Sequence, residues 1–290
     1  MKRQTVRKII QVLATLGYNC NISGFFKGGI FKGDTKAVCV PGLNCYSCPG
    51  AVGSCPIGAL QSVISGNKSG FSFYVAGILI FFGAIFGRFI CGFLCPFGLI
   101  QELLYKISVP KIKVPKKPDK LLRYLKYVVL VLFVLVLPAV LVNEFGIGSP
   151  YFCKWLCPVG TLEGGIPLLL LNEGLRAMAG KNFYWKLSLT FVLLALSTTI
   201  YRPFCKYLCP LGAVYAFFNK VSFFRMQVNE EKCIGCGKCE KTCPMGVEVL
   251  KDINSTECIR CGKCKDVCPC GAIEGGAETR VLKKQKSVER

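Results

Sequence analysis

The sequence predicts a mainly α-helical membrane protein, in which residues 1–224 form four spans and residues 225–276 form a small α+β domain. Two observations lead to this prediction. The 290 residues are 52% hydrophobic and 18% charged, with a mean hydropathy of +0.46, which is more apolar than a soluble domain requires. The chain also has 20 cysteines, and they stand in short runs that end in proline. That spacing favours metal ligation over a disulfide scaffold.

The composition excludes several functions. The chain has no histidine, which rules out His-ligated haem, Rieske centres and imidazole acid–base chemistry. The formal net charge is +21, but the excess lysine and arginine flank apolar stretches in the first 224 residues. Because such flanks are typical of membrane proteins, we expect no nucleic-acid partner and expect membrane lipid around the apolar half.

Four stretches approach the length of about 20 apolar residues that a bilayer requires. The first is the weakest, because Asn19 and Asn21 interrupt it, and a cleaved signal peptide with the apolar run Ile9–Leu16 is an alternative interpretation. The predicted spans cover residues 9–26, 71–87, 127–143 and 183–201.

The distribution of basic residues predicts the orientation of these spans. Lysine and arginine are concentrated before the first span and between the second and third, where the segment Val109–Lys120 is rich in lysine and proline. By the positive-inside rule, both termini and this basic loop are cytoplasmic in a multi-pass protein of the cell membrane. Residues 277–290 are expected to be a basic, disordered tail.

The C-terminal cysteines give the strongest functional signal. Two runs share the pattern Cys-x2-Cys-x2-Cys-x3-Cys-Pro, and they begin at Cys233 and Cys258. This pattern is the bacterial ferredoxin run, in which three close cysteines bind one [4Fe–4S] cluster and the fourth binds the other. The prediction is therefore a bacterial ferredoxin-like domain with a first cluster on Cys233, Cys236, Cys239 and Cys268 and a second on Cys258, Cys261, Cys264 and Cys243. Structural zinc, which CxxC pairs also bind, is the alternative.

A second pattern repeats in the apolar half. Each unit is a span, a Cys-x3-Cys-Pro-x-Gly motif and a short helix, which indicates a repeated architecture. Three units are complete and a fourth, around Cys55, is degenerate, since its preceding cysteine, Cys48, is seven residues away. The complete pairs are Cys91 and Cys95, Cys153 and Cys157, and Cys205 and Cys209.

With these pairs and the eight C-terminal cysteines, essentially the whole chain resembles the NapH/NosR-type membrane ferredoxins. The marks of that family are CxxxCP pairs beside spans and a C-terminal ferredoxin domain. The resemblance implies electron transfer between the membrane and redox partners on either side. This chain differs from the usual pattern in having a third pair and a cysteine-rich segment at residues 39–55.

The predicted topology suggests how the membrane cysteines combine. Cys91, Cys95, Cys205 and Cys209 all follow spans that run inward, so we expect them to bind an inner cluster, since a cubane takes four thiolates. Cys48, Cys55, Cys153 and Cys157 would bind an outer cluster.

Several alternatives remain open at this stage. Cys39 and Cys45 are alternative outer ligands; together with Cys48 and Cys55 they would make a cluster alone, or they would pair as a disulfide. The CxxxC pairs could also serve only to pack helices. Cys20 and Cys270 are expected to be spare thiols.

The function expected from these motifs is one-electron hopping through about four [4Fe–4S] clusters, without catalysis by this chain alone. A soluble ferredoxin or reductase inside and a flavoprotein or reductase outside are the expected redox partners. The alternatives are an electron-transfer subunit of a larger membrane oxidoreductase and a redox sensor or maturation factor.

Overall fold

The first helix, α1 (Lys2–Tyr18), has one polar and one apolar side in a computed structural model that describes residues 2–66, 73–112, 114–144 and 147–276. Arg7 and Gln11 are fully buried, whereas Leu13 and Leu16 are each 62% exposed. The helix ends at Tyr18 because Asn19 caps it, donating from its side chain to the Thr15 carbonyl. The predicted span 9–26 is therefore divided between α1 and a separate short helix, α2 (Ile22–Lys27).

The other predicted spans coincide with helices of different lengths. α4 (Phe73–Phe86) lies within the second predicted span, whose residues 71 and 72 are outside the described part of the chain. α13 (Lys181–Thr199) matches the fourth but carries two lysines in its first two turns. In the third region a continuous helix runs from Lys116 to Val140, and of the described residues it alone is long and apolar enough to cross a membrane. The structure thus gives a mainly helical fold, without showing four spans.

The long helix Lys116–Val140 contains α7 (Lys116–Leu122), α8 (Leu125–Val129), a π-helical segment (Leu130–Val136) and α9 (Leu137–Val140). Its outward side is apolar, with Leu121 75% and Val140 67% exposed. The basic loop before it includes Lys113, which lies outside the described residues, as does the predicted tail 277–290.

A short helix begins at the proline of each Cys-Pro-x-Gly motif. The proline stands at the start of the helix, where its missing N–H leaves no hydrogen bond unmade. The helices that begin in this way are α3 (Pro56–Ser65), α6 (Pro96–Leu104) and α15 (Pro210–Phe218). In the third unit, Pro158 opens a helical stretch that continues through a π-helical segment (Gly160–Gly165) into α11 (Ile166–Leu171).

Short elements complete the apolar half. Three of them carry or precede the first cysteine of a pair: α5 (Phe89–Phe93), α10 (Tyr151–Trp155) and α14 (Pro203–Tyr207). The remainder are a 3₁₀ turn (Asp34–Ala37) and α12 (Glu173–Ala177).

The C-terminal region is small and mixed. Two strands, β1 (Arg225–Val228) and β2 (Ile273–Gly276), pair antiparallel, with Arg225 opposite Gly276 and Val228 opposite Ile273. Two short helices, α16 (Lys238–Thr242) and α17 (Lys263–Asp266), contact each other between the strands. Gly237 and Gly262, which precede these helices, have φ of 66° and 75°, a conformation that favours glycine.

Candidate iron–sulfur sites

The predicted second C-terminal cluster has a matching cavity. This cavity is lined by the four predicted ligands Cys243, Cys258, Cys261 and Cys264, together with apolar side chains such as Met226 and Ile253. The N–H of Val247 donates to the Cys243 sulfur at 3.4 Å. The cavity and the N–H···S bond suit a thiolate-bound cluster, since such hydrogen bonds stabilise sulfur that carries negative charge.

A second cavity lies at the predicted first C-terminal cluster. It is lined by the predicted ligands Cys233, Cys236, Cys239 and Cys268. Cys270, which the sequence suggested to be a spare thiol, also lines it, with its sulfur 3.6 Å from that of Cys268. Cys243 and Cys258 pack against the apolar core of the C-terminal region and also against that of the helical body. The C-terminal sites are therefore connected to the helical body through packed residues.

The predicted inner cysteines come together in the helical body. Burial, and then three neighbouring thiols, raises the pKa of Cys209; those neighbours are Cys205, Cys91 and Cys95. All four side chains are at least 93% buried. Two amide donors also reach these sulfurs, from Gly212 to Cys209 at 3.3 Å and from the Gln101 side chain to Cys205 at 3.1 Å. The four thiols therefore form one enclosed group with hydrogen-bond donors directed at sulfur.

Two arginines hold the two inner pairs in a reciprocal arrangement. Arg88 precedes Cys91 but donates to the carbonyl of Cys205 at 3.1 Å, and Arg202 precedes Cys205 but donates to the carbonyl of Cys91. Both guanidinium groups are fully buried, and the Nε of each has no hydrogen-bond partner among the described residues. Because buried polar groups are normally hydrogen-bonded, these orphaned donors suit an anionic group at this site.

The charge around the inner site is positive. Four buried cations surround two buried carboxylates, so these six groups together carry a net positive charge. An anionic, thiolate-bound cluster at this site would compensate that charge. The ion pairs join Arg7 and Arg202 to Glu102, and Arg88 and Lys126 to Glu257. Although burial opposes ionisation, Arg202 and Arg7 lower the pKa of Glu102 to about 2.

The structure favours Cys45 over Cys48 in the outer group. The sulfurs of Cys45 and Cys157 lie 3.8 Å and 3.9 Å from the place where a Cβ on Gly160 would stand. Burial, followed by the neighbouring thiols of Cys157 and Cys55, raises the pKa of Cys153. Cys45, Cys55, Cys153 and Cys157 therefore form a second group of four, although the ligand set remains a prediction.

Cys48 and Cys39, both buried, have different surroundings. The Cys48 sulfur accepts hydrogen bonds from the amides of Gly50 and Ala51 within its own loop. Cys39 instead forms an isolated backbone β-bridge with Ser54. All twenty cysteines are free thiols in the structure, including Cys39 and Cys45, for which a disulfide was one alternative.

The inner and outer groups share a connecting segment. The adjacent amides of Leu43 and Asn44 donate to different groups, the first to the Cys95 sulfur and the second to the Cys55 sulfur. Gly42 approaches so closely that a Cβ there would lie 2.9 Å from the Leu94 carbonyl oxygen. The cysteine-rich segment thus packs against the inner group as well as the outer one.

The polar side of α1 runs beside these sites in order. Gln4 donates to the Cys261 carbonyl, Arg7 to that of Gly92 and Gln11 to that of Cys95, while Asn19 just beyond the helix bonds Asn44. At 1.5 Å per residue, the fifteen residues from Gln4 to Asn19 cover about 22 Å. The second C-terminal site, the inner group and the outer group are therefore arranged along one helix.

The sequence reasoning missed the residues that stand six positions after the last cysteine of each unit. These are Gln61, Gln101, Glu163 and Tyr215, and all four reach toward a different unit or toward the cysteine-rich segment. Glu163 accepts the N–H of Cys45 at 2.9 Å, and burial raises the pKa of this carboxyl to about 7. The repeated Cys-Pro-x-Gly-x-x-Gln in two units was the signal that could have identified this position.

Comparison with protein families agrees with these sites. A model of a 4Fe-4S binding domain matches residues 69–115, 127–168 and 183–228, which include the three complete Cys-x3-Cys-Pro pairs. Two further 4Fe-4S binding domain models match residues 225–247 and 251–274, where the eight C-terminal cysteines lie.

Curated relatives extend this agreement. An uncharacterized protein of Methanocaldococcus jannaschii is 30% identical over 79% of this chain and 80% of its own length. The putative electron transport protein YccM of Escherichia coli is 32% identical over 56% of this chain and 42% of its own length. The methylamine utilization ferredoxin-type protein MauN of Methylorubrum extorquens is 29% identical over 65% of this chain and 59% of its own length. No solved structure was found to match. The chain belongs to the NapH/NosR-type family of polyferredoxins, a family of iron–sulfur electron-transfer proteins, and it binds 4Fe–4S clusters.

Proposed function

We propose that the protein is an integral membrane electron carrier that moves single electrons between a cytoplasmic partner and the membrane or its far side. Bound at the four cysteine groups, [4Fe–4S] clusters would supply one-electron redox chemistry. The observation that carries the proposal is the continuity of the four groups, two in the C-terminal region and two in the helical body, within packed protein.

Close contact between the C-terminal region and the helical body supports this continuity. Ile259, between two ligands of the second C-terminal site, lies with its carbonyl oxygen 2.4 Å from where a Cβ on Gly92 would stand, next to the ligand Cys91. Arg88 also donates to the Thr256 carbonyl at 2.7 Å, and Asn219 donates to that of Cys258 at 2.9 Å. Such contacts hold the second C-terminal site directly against the inner group.

Two features favour placement in a membrane. The long helix Lys116–Val140 has the length and composition of a span. Large apolar side chains are also exposed along α1, α4 and α13, for example Phe73 at 78% and Phe191 at 73%. Because monomeric soluble proteins rarely expose so much contiguous apolar surface, we assign it to lipid, with all four predicted helices in the membrane.

The contacts of Gln4 support the proposed orientation. Gln4 donates to Asp266 at 2.8 Å and to the Cys261 carbonyl, so the start of α1 and the C-terminal region lie on the same side. The basic loop before the long helix joins them there, since Lys116 pairs with Glu248 at 3.0 Å. This is the side that the positive-inside rule makes cytoplasmic. A soluble ferredoxin or reductase would meet the C-terminal region, and a flavoprotein or reductase would meet the outer group.

Iron and acid-labile sulfide counts on anaerobically purified full-length protein test the proposal. Four clusters of four irons predict about sixteen irons per chain, and Cys205→Ser should remove about four of them. Cys20→Ser is the matched control, because Cys20 is exposed and belongs to none of the four groups. About eight irons in the unmodified protein would refute the two clusters of the helical body.

A further inference from the structure

Two glutamines make the same set of contacts in different parts of the chain. Gln61 and Gln101 each stand six residues after a unit cysteine, Cys55 and Cys95 respectively, and both are fully buried. Each side-chain oxygen accepts an N–H, from Phe152 at 3.0 Å and from Phe204 at 3.2 Å. Since an N–H can only donate, this bond places the oxygen and therefore directs the side-chain NH₂ to the other side.

The side-chain NH₂ of each glutamine then meets a cysteine sulfur. Gln61 donates to Cys153 at 3.3 Å, and Gln101 donates to Cys205 at 3.1 Å. In each case the sulfur belongs to the first cysteine of a pair in another unit, one residue after the phenylalanine whose N–H the glutamine accepts. Each glutamine therefore fixes the backbone and the sulfur of one predicted ligand at the same time.

We propose that Gln101 and Gln61 are matched positioning residues that raise the reduction potentials of the inner and outer clusters, respectively, by donating an N–H to one ligand sulfur. The proposal rests on the proposed function, because it requires a cluster at each group. A donor at sulfur favours the more negative, reduced state, and hydrogen bonds to sulfur are among the factors that set iron–sulfur potentials.

The two sites differ in their charged neighbours, which makes them distinguishable. Two buried arginines, Arg88 and Arg202, lie beside the inner cysteines. The outer group instead has the carboxyl of Glu163 beside Cys45 and the ammonium group of Lys186 near Cys157. The same glutamine contact thus acts within two different charge environments.

The test is a redox titration monitored by EPR on full-length protein, with each signal assigned by its loss in Cys205→Ser or Cys153→Ser. Gln101→Leu should lower the inner potential so that its ratio of oxidised to reduced cluster rises about tenfold at a fixed potential, which is about 59 mV for one electron. The outer signal should stay unchanged. Gln61→Leu should give the reverse pattern.

Two further variants separate tuning from packing. Gln101→Glu keeps the size of the side chain but removes the N–H donor, so it should lower the inner potential at least as far as Gln101→Leu. Ser197→Ala is the control, because Ser197 is equally buried but donates to the Leu193 carbonyl within its own helix, α13, and not to a cysteine. It should leave both potentials in place.

Each other outcome overturns the proposal. Unchanged potentials, equal shifts of both signals, or an equal shift in Ser197→Ala would show that the glutamine–sulfur bonds do not tune their own clusters. Loss of about four irons in both Gln101→Leu and Gln101→Glu would assign the residue to cluster retention. About eight irons in the unmodified protein would instead refute the proposed function, so the two failures are distinguishable.

Discussion

Gly92→Ala is expected to loosen the contact between the C-terminal region and the helical body. A Cβ at this position would lie 2.4 Å from the carbonyl oxygen of Ile259, closer than real Cβ contacts come. The obstacle is backbone, so the two parts must separate. Gly92 lies inside α5 with helical geometry, so alanine is not strained by its own backbone angles.

The expected magnitude is a balance of two effects. Overpacking of this kind costs about 1–3 kcal/mol, and replacing a helical glycine by alanine returns about 1 kcal/mol. The net loss is therefore up to about 2 kcal/mol, and every 1.4 kcal/mol corresponds to a factor of ten in the equilibrium. We expect opening of the contact to become up to about thirtyfold more frequent.

Hydrogen exchange of residues 256–262 measures this opening, since amides near Ile259 should lose protection in Gly92→Ala. Gly77→Ala is the matched control, because Gly77 is also in a helix but a Cβ there meets nothing within 4 Å. It should leave exchange at residues 256–262 unchanged. Equal exchange in the two variants would refute the close packing of Gly92 against the Ile259 carbonyl.

Three further predictions concern the sites themselves. Cys45→Ser should remove about four irons and Cys48→Ser none, as counted in anaerobically purified protein; the opposite result would restore Cys48 as the outer ligand. Glu102→Gln should lower the free energy of unfolding at pH 7 by about 3 kcal/mol, because a buried ion pair is broken, whereas Glu248→Gln on the exposed surface should change it by less than about 1 kcal/mol. Since the pKa of Glu102 falls to about 2, its contribution is complete above about pH 4.5 and is lost only as pH falls toward 2, so stability measured from pH 5 to 8 should not depend on this group. Gly98→Ala should weaken binding of the inner cluster, measured as faster iron loss to a chelator, because a Cβ would lie 2.9 Å from a guanidinium nitrogen of Arg202; iron loss at the unmodified rate would contradict this.

The local parts of the sites were predictable because their spacing is local. The eight C-terminal cysteines line two cavities, four in each, as the predicted ligand sets require. The two Cys-x3-Cys pairs that begin at Cys91 and Cys205 come together in one group. Short loops between ligands fix which sulfurs face one another, and a sequence displays such loops directly. The family and its 4Fe–4S clusters could be identified from these motifs and are confirmed by the comparisons.

What the sequence did not contain is the pairing between distant segments. Cys48 matched the expected spacing better than Cys45, yet Cys45 lies nearer Cys157, because Glu163 accepts its amide across more than a hundred residues. Hydropathy also did not predict that α1 has a polar side, since Arg7 and Gln11 are polar residues whose function is to bond the cluster segments. Both features depend on polar groups that are satisfied only in the folded chain.

The repeated geometry of the Cys-Pro-x-Gly unit is linked to these long-range bonds. Gly98 and Gly212, the last residues of two such motifs, lie against Arg202 and Arg88, respectively, and each arginine comes from the opposite pair. A Cβ at Gly98 would lie 2.9 Å from Arg202 and would displace this buried cation from the Cys91 carbonyl that it holds, whereas a Cβ at Gly212 would lie 3.5 Å from Arg88, in ordinary contact. The motif therefore supplies two ligands, a helix start and space for the arginine of its partner. In the units at Cys91 and Cys205, each arginine bonds a carbonyl of the other pair, so the inner group is assembled from two pairs that lie far apart in the chain.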